Sequence, residues 1–394
     1  MAQAPLKGVR VLELARILAG PWAGQTLADL GADVIKVENP DGGDDTRSWG
    51  PPFITGADGD ALDAAYYHGV NRNKRSVTAD LKTPEGQDFV RRLAAQSDIM
   101  IENFKTGGLT KYGLDYYSLR KINPKLVYCS ITGFGHTGPD APLAGYDFIV
   151  QGMSGLMSIT GESRGLPMKV GVAVADLFTG VYSVIGILAA LRHAEATGHG
   201  QHIDMALLDT QAGVLANQNM NYLATGVSPV RIGNENPNIA PYEVIAASNG
   251  HVILAVGNDG QFERACKILG LDDLPADPRF ATNEARVANR VELRTHIAPA
   301  AAKFTKSELL AACEGHAVPV GTINTIGEMF ADPQIRARGM RIDLKDFEGN
   351  AIPGVRTPIL MSETPLRYDT PSPRLGQHTD EVLAELTRLE ASPK

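Results

Sequence analysis

The stretch VRVLELARILAGPWAGQTLADLGADVIKVE, residues 9–38, decides the architecture. A short run of branched apolar residues, VRVLELA, precedes a helical pattern over residues 20–31, and a second such run, ADVIKVE, follows. This is the βαβ rhythm of a parallel sheet. It continues with TPEGQDFVRRLAAQ as helix, SDIMIENF as strand, LDYYSLRKIN as helix and LVYCSIT as strand, joined by a few Gly, Asn, Asp or Pro residues. The expected fold class is therefore α/β, with a doubly wound parallel sheet in a large first domain, residues 1–205. After QHIDMALL the loop-rich TGVSPVRIGNENPNIAPYE marks a boundary. Residues 225–320 form a smaller α+β domain containing HVILAVG, GQFERACKILG and VELRTHIAPAAAKF. Residues 325–394 return to the large domain through RIDLKDFEGNAIPGV, a hairpin around Glu348-Gly349-Asn350.

Composition narrows the function. A chain of 394 residues with 43% hydrophobic and 21% charged content is ordinary globular protein with room for two domains. Its net charge of -8 argues against nucleic acid as a partner, while leaving room for a local basic pocket around a phosphorylated small molecule. Cys129, Cys266 and Cys313 lie far apart with no CxxC spacing, so neither a disulfide framework nor a zinc site is expected. The opening MAQAPLKGVRVLELA lacks a basic segment followed by an apolar one, and cytoplasm is the expected location. Val172 to Leu191 approaches the length of a bilayer span with a single charge, Asp176. Thr179, Gly180, Tyr182, Ser183 and Gly186 dilute it, and it reads as a buried strand end and helix, with no membrane as partner.

Asp176 is the most informative single residue, because a carboxylate in VGVAVADLFTGVYSVIGILAAL must be paired, hydrogen-bonded or functional. It reads as an N-cap that closes a strand GVAVA and accepts from the first amides of a helix beginning near Leu177. The same amides would favour an ionised nucleophile, so the two readings are compatible. GFGHTG, residues 133–138, matches GxGxxG after a strand, but Pro139 and DAPLAG interrupt the helix that a dinucleotide site needs. A glycine-rich loop over an active site and a plain turn both remain open. The basic NRNKRS (71–76), Lys82, Lys105 and Lys111 read as a solvated surface or as phosphate contacts at strand ends. Walker A, HExxH, GxSxG and metal-spaced histidines are all missing, and no metal is expected.

The segments of residues 9–38, with NRNKRSVTADLKTPEG, IENFKTG, NPKLVYCSITGFGHTGP, GYDFIVQGMSGLMSITG, VGVAVADLFTGVYSVIGILAAL, GHGQHIDMALLD and LGQHTDEVLAEL, resemble the class III CoA-transferases, the formyl-CoA and carnitine CoA-transferase family, nearly end to end. The resemblance implies a Rossmann-like large domain, a small domain and an interlocked homodimer. It implies coenzyme A, carried as acyl-CoA, and a small carboxylic acid as partners. Asp176 would attack the acyl-CoA thioester, forming an aspartyl anhydride and then an aspartyl-CoA thioester. For CoA the resemblance points to Arg16, Ile17, Ala19, Asn39, Ala79, Lys82, Asn103, Phe104 and Lys111; for the acyl and acid pocket it points to Trp49, Tyr66 and Tyr146. Two departures bear on substrate. Leu18 stands where the formyl-CoA:oxalate enzymes have glutamine, and the small domain lacks their glycine run, which argues against oxalate. Asn39 replaces their arginine. The shorter RIGNENP loop resembles members that use succinyl-CoA. A 2-methylacyl-CoA racemase of the same fold would carry GHD where this chain has Gly145-Tyr146-Asp147, and tyrosine, with an ordinary pKa near 10, is a poor base. A catalytically silent acyl-CoA binder, with Asp176 only a cap, is the remaining alternative.

Overall fold

Eight strands occupy the first half of the computed structural model, which describes residues 3–391. They are β1 (Arg10–Leu14), β2 (Asp33–Glu38), β3 (Phe53–Thr55), β4 (Ala61–Ala64), β5 (Lys74–Thr78), β6 (Ile99–Glu102), β7 (Val127–Thr132) and β8 (His202–Ala206). β3 and β4 pair antiparallel; the other six form one parallel sheet in the order β5-β2-β1-β6-β7-β8. Counted along the chain this is 3-2-1-4-5-6, the order of the Rossmann fold. The winding direction reverses between β1 and β6, which opens a crevice at their carboxyl ends.

Alternate residues of each strand feed two separate cores, as a sheet covered on both faces requires. Val11, Val34, Ile99, Ile101, Val127 and Cys129 meet the helices Ala19–Asp29 and Val174–Thr197 on one face. Leu12, Ile35, Val77, Met100 and Tyr128 meet Phe89, Val90 and Leu93 of the helix Pro84–Ala95 and Val382 and Leu386 of the helix Thr379–Ala391 on the other. Pro84–Ala95 starts cleanly, because Thr83 accepts from the Gly86 amide and Pro84 needs no amide partner. The last helix is tied to the strands by ion pairs: Arg75 reaches Asp33 at 2.5 Å and Glu385 at 2.9 Å, and Arg10 also meets Glu385.

The expected strand GVAVA is not formed. The helix begins at Val174, so Asp176 lies in its first turn rather than at its cap, and Ala173 occupies the cap position without a side-chain bond. Val174–Thr197 has the length and apolarity to cross a bilayer. One face of it is wrapped within the fold: Ala175, Thr179, Val184, Ile187 and Leu191 are buried. At Gly180 it comes so close to the first helix that an added Cβ would lie 2.8 Å from the Ala19 carbonyl oxygen. Phe178, Val181, Tyr182 and Ile185 are exposed.

Contacts divide the chain into two units. One comprises the described residues up to Leu156, Val170–Met220 and the described residues from Pro333 onward; the other comprises Met157–Lys169 and Asn221–Asp332. Met157–Lys169, expected in the large domain, belongs to the smaller unit because Gly161 accepts from the Gly233 amide (3.1 Å) and Arg231 donates to the carbonyls of Ser158 and Gly165. That unit holds β9 (Tyr242–Ala247), β10 (Gly250–Ala255) and β11 (Val320–Thr322), antiparallel in the order β11-β10-β9. Its helices pack over Val252, Phe262, Phe280 and Ile297. The fully buried Arg286 is paired throughout, to the carbonyls of Ala240 and Phe280 and to Asp259. The expected hairpin is present in the larger unit as β12 (Arg341–Lys345) and β13 (Ala351–Val355).

Beneath the helix Ala19–Asp29 the larger unit buries Glu13, Lys36 and Lys74. Lys74 Nζ reaches both Glu13 oxygens, at 3.0 and 2.9 Å, and Lys36 Nζ reaches Oε1 at 3.1 Å. The helix passes over this carboxylate at Gly24, where a Cβ would lie 1.7 Å from Glu13 Oε2. Gly24→Ala must therefore displace a buried, doubly paired charge. The expected loss is about 3 kcal/mol, read as a lower denaturation midpoint in urea; a loss below about 1 kcal/mol would show that Glu13 can shift without cost.

Candidate functional site

At the crevice the chain leaves β1 and turns through Ala15–Leu18 into the helix Ala19–Asp29. Ile17 lies in the left-handed region, φ +72°, a conformation that costs a non-glycine residue about 1–3 kcal/mol and is rare for a β-branched one. The neighbours hold it there. The Ile17 amide donates to both oxygens of Asp44, each at 3.2 Å. Asn103, the residue after β6, accepts from the Arg16 amide at 3.0 Å and donates to the Arg16 carbonyl at 2.7 Å. The two strand ends at the reversal point are thus laced together by one amide side chain. Phe104 follows, its amide bonded to Glu102 Oε2 at 2.8 Å; burial pushes the Glu102 carboxyl up to about 7.

A cleft of about 400 Å³ opens here, lined by Arg16, Ile17, Ala19, Asn103, Phe104, Lys111, Tyr146 and Asp176 among others. A second cleft, about 380 Å³, shares Arg16, Phe104 and Tyr112 with the first and contains Asn39, Ala79 and Lys82. Every residue expected to contact CoA lines one or both of them. Trp49 and Tyr66 line neither; they pack edge to face, ring centroids 5.6 Å apart. Tyr66 is nonetheless within electrical reach, since burial and then the charges of Asp176, Asp147 and Asp44 push its hydroxyl up to about 12. A larger cavity, about 1080 Å³, lies beside Asp33, Asn73 and Arg75, at the amino ends of β2 and β5. The smaller clefts are the ones at the carboxyl ends, where an open parallel sheet takes its ligands.

The carboxylate that caps the Val174–Thr197 helix is Asp147. Its Oδ1 accepts from the amides of Ala175 (2.8 Å) and Asp176 (3.4 Å), and its Oδ2 from Gln151 Nε2 (2.7 Å). Gln151 in turn accepts from the Val170 amide at 2.9 Å. Asp176 is thereby released from the capping role read from the sequence. Among the described residues none hydrogen-bonds or ion-pairs with its carboxylate, which is half-buried. Burial first, and the Asp147 charge second, push it up to about 7. Such a group is poised between acid and nucleophile near neutrality.

Of GFGHTG only Gly133 lines the cleft, next to Ile131 and Thr132 at the end of β7. Gly133 and Gly145 cross so closely that a Cβ on either would lie 2.4 Å from the other's Cα, which sets Tyr146 at the head of the helix Asp147–Met153. No helix follows Gly138 directly, and the chain stays irregular as far as Tyr146. The basic run NRNKRS is neither a solvated surface nor a phosphate site: Arg72 pairs with Asp29 (2.5 Å), Lys74 with Glu13 and Arg75 with Asp33. Lys82, Lys105 and Lys111 do line the clefts. Asp44 and Lys36 were not singled out from the sequence. The available signal was a lysine inside the apolar strand ADVIKVE, which has to find a buried partner. Among the described residues no group of three or more His, Cys, Asp or Glu is arranged to hold a metal ion.

Comparison with known proteins agrees with this geometry. Residues 6–379 match the sequence pattern of CoA-transferase family III. The chain is 67% identical over 386 residues to succinate-glutarate CoA-transferase of Agrobacterium fabrum, covering 98% of this chain and 96% of that one. It is 40% identical to succinyl-CoA:glutarate CoA-transferase of Mus musculus, over 98% of this chain and 87% of the relative. In three dimensions it superposes on a CAIB/BAIF family protein from Brucella suis with a TM-score of 0.86 and 57% identity, over 98% of this chain and 100% of that one. A Rossmann-ordered sheet with an unpaired carboxylate at its crevice, matched nearly end to end, thus shows that the chain belongs to CoA-transferase family III, enzymes that take an acyl-CoA as co-substrate.

Proposed function

We propose that this enzyme moves CoA from succinyl-CoA to a second carboxylic acid, of which glutarate is the first to test, with Asp176 as the residue acylated. The observation that carries the reading is the unpaired Asp176 carboxylate in a cleft of about 400 Å³ beside the β1–β6 crevice; the names of the two transferase relatives supply the substrates. A carboxylate oxygen of Asp176 adds to the thioester carbonyl, the C–S bond breaks, and CoA leaves as thiolate, giving a mixed anhydride. The thiolate attacks the Asp176 carbonyl carbon, releasing succinate and forming an aspartyl-CoA thioester. The acceptor carboxylate then displaces the thiolate to make a second anhydride. Attack of the thiolate on the acceptor's acyl carbon regenerates Asp176 and releases the new acyl-CoA. Each bond made is about as reactive as the bond broken, so the cycle consumes no external energy.

In this reading Lys82 and Lys111 meet the CoA phosphates as point charges and Phe104 lies along the cofactor. Arg16, Ile17, Ala19 and Asn103 flank the pantetheine arm, with Asn39 and Ala79 by the nucleotide in the second cleft. Tyr146 flanks the acyl group in the cleft, with the Trp49–Tyr66 pair, which lines neither cleft, as the outer side of the pocket. The working form is an interlocked homodimer in the cytoplasm. The exposed Phe178, Val181, Tyr182 and Ile185, on the same helix as Asp176, support a second copy of the chain as what covers that helix.

Mixing the protein with succinyl-CoA and trapping with hydroxylamine or borohydride should leave an adduct on Asp176 by peptide mass spectrometry. Asp176→Asn should abolish the adduct and lower turnover by at least about 10³-fold while retaining CoA. An unmodified Asp176 together with α-proton exchange in deuterated water would assign racemase chemistry instead.

The nucleophile must be ionised, so kcat/KM should climb about tenfold per pH unit toward an inflection at about 7 and level off above it. Asp147→Asn keeps a capping oxygen but removes the like charge, and should move that inflection to lower pH. The sign for stability is opposite. Because the folded-state carboxyl holds its proton more tightly than an ordinary aspartate, stability falls as pH rises from about 4 to 7, and Asp176→Asn removes that slope in urea titrations. An inflection left in place by Asp147→Asn would show that another group governs the profile.

A further inference from the structure

The backbone of the turn beside Asp176 is held almost entirely by side chains. Lys36 Nζ donates to the Ala15 carbonyl at 2.6 Å, Asn103 takes both polar groups of Arg16, and Asp44 takes the Ile17 amide. Asp44 and Lys36 are themselves paired at 2.9 Å and are 2% and 0% exposed. The Asp44 carboxylate is fixed from its own side by the Thr46 amide (3.0 Å) and hydroxyl (2.7 Å). Its amide donates to Glu38 Oε2 at 2.9 Å, and Glu38 is clamped by Arg47 at 2.6 and 2.8 Å. Gly43 makes room for this packing: it has φ +70°, and a Cβ there would fall 2.8 Å from Glu38 and 2.9 Å from Arg47. The buried charges of β2 and of the segment after it therefore act through Asp44 on one amide, that of the left-handed Ile17. An isoleucine left to itself at that position relaxes to negative φ, which would turn Ile17 and Leu18 out of the cleft they share with Asp176.

We propose that Asp44, braced by Lys36, is a positioning residue of the transfer reaction: it holds Ile17 in the left-handed conformation that shapes the cleft wall beside Asp176. Asp44 lines the second cleft and acts on the Asp176 cleft through that turn. The inference rests on the transfer reading above and adds to it a residue that acts at a distance.

The test is a double-mutant cycle of Asp44→Ala and Ile17→Gly, with kcat, KM, CoA affinity by calorimetry and melting temperature measured for each protein. Glycine adopts positive φ without a holder. Asp44→Ala should therefore lower kcat at least tenfold when Ile17 is present, and less than threefold when introduced on top of I17G. An Asp44 that only stabilises the fold would depress the melting temperature in both backgrounds and leave kcat of the folded protein alone. Equal losses of kcat in the two backgrounds overturn the proposal. If Asp44→Ala does not fold, Asp44→Asn, which keeps the shape and one acceptor but no charge for Lys36, goes through the same cycle, with at least a threefold difference expected between backgrounds. The unmutated protein in the series separates the two readings. Transfer with an additive cycle removes only the positioning role; if transfer itself is missing, the transfer reading falls and the cycle is decided on CoA affinity, where the same dependence on Ile17 is expected.

Discussion

Glu13 has no exposed surface and faces two ammonium groups, and much of the larger unit is arranged so that this can persist. Two anions, Glu13 and Asp44, and two cations, Lys36 and Lys74, balance one another among β1, β2, β5 and the loop after β2. Removing one member strands a charge in the interior, which costs far more than a surface pair is worth. The two lysines feel the arrangement differently. Burial works against charge on both, but Asp44, Glu13 and Glu38 together outweigh it at Lys36 and raise its pKa. At Lys74, burial outweighs Glu13, and the amine is pulled down to about 8. Lys36 is the firmer cation, and it is the one that grips the turn at the head of the site.

Two carboxylates stand at the start of one helix and behave differently because of what touches them. Asp147 gives its oxygens to two helix amides and a glutamine; Asp176, in the turn those amides begin, has none of these partners. The helix terminus favours a negative charge on either. What raises Asp176 is the surrounding protein and the proximity of the first carboxylate. A scaffold built to cap its helix with a remote residue leaves the local one available for chemistry.

The parallel sheet was legible because strands buried on both faces read as continuous apolar runs and their helices carry ordinary start and stop signals. Asp176 stood out in the sequence through its cost in an apolar segment and through the resemblance. Its geometry did not. Small alternating residues in GVAVA fit a strand as well as a helix start, and the cap that decides the matter lies 29 residues back in the chain. NRNKRS fails for the same reason. Its partners Asp29, Glu13 and Asp33 are 43, 61 and 42 residues away, so a local reading sees only a cluster of positive charge. Met157–Lys169 joins the smaller unit through its own backbone carbonyls, which accept from the Gly233 amide and from Arg231 about 70 residues on, so its own side chains carry no sign of the join.

The helix Thr379–Ala391 closes one face of the parallel sheet, and the strands it covers are made from the first hundred or so residues. During synthesis, which runs from the amino end, Leu12, Ile35 and Met100 have the helix Pro84–Ala95 and the leucines of residues 109–126 beside them, but not Val382 and Leu386 until residues 379–391 are made. Arg10 and Arg75 likewise wait for Glu385. These strands cannot complete their core before residues 379–391 arrive, and that interval exposes apolar strand surface to chaperones and to neighbouring nascent chains. Selection on the end of this sequence is thus partly selection on how its beginning survives being made.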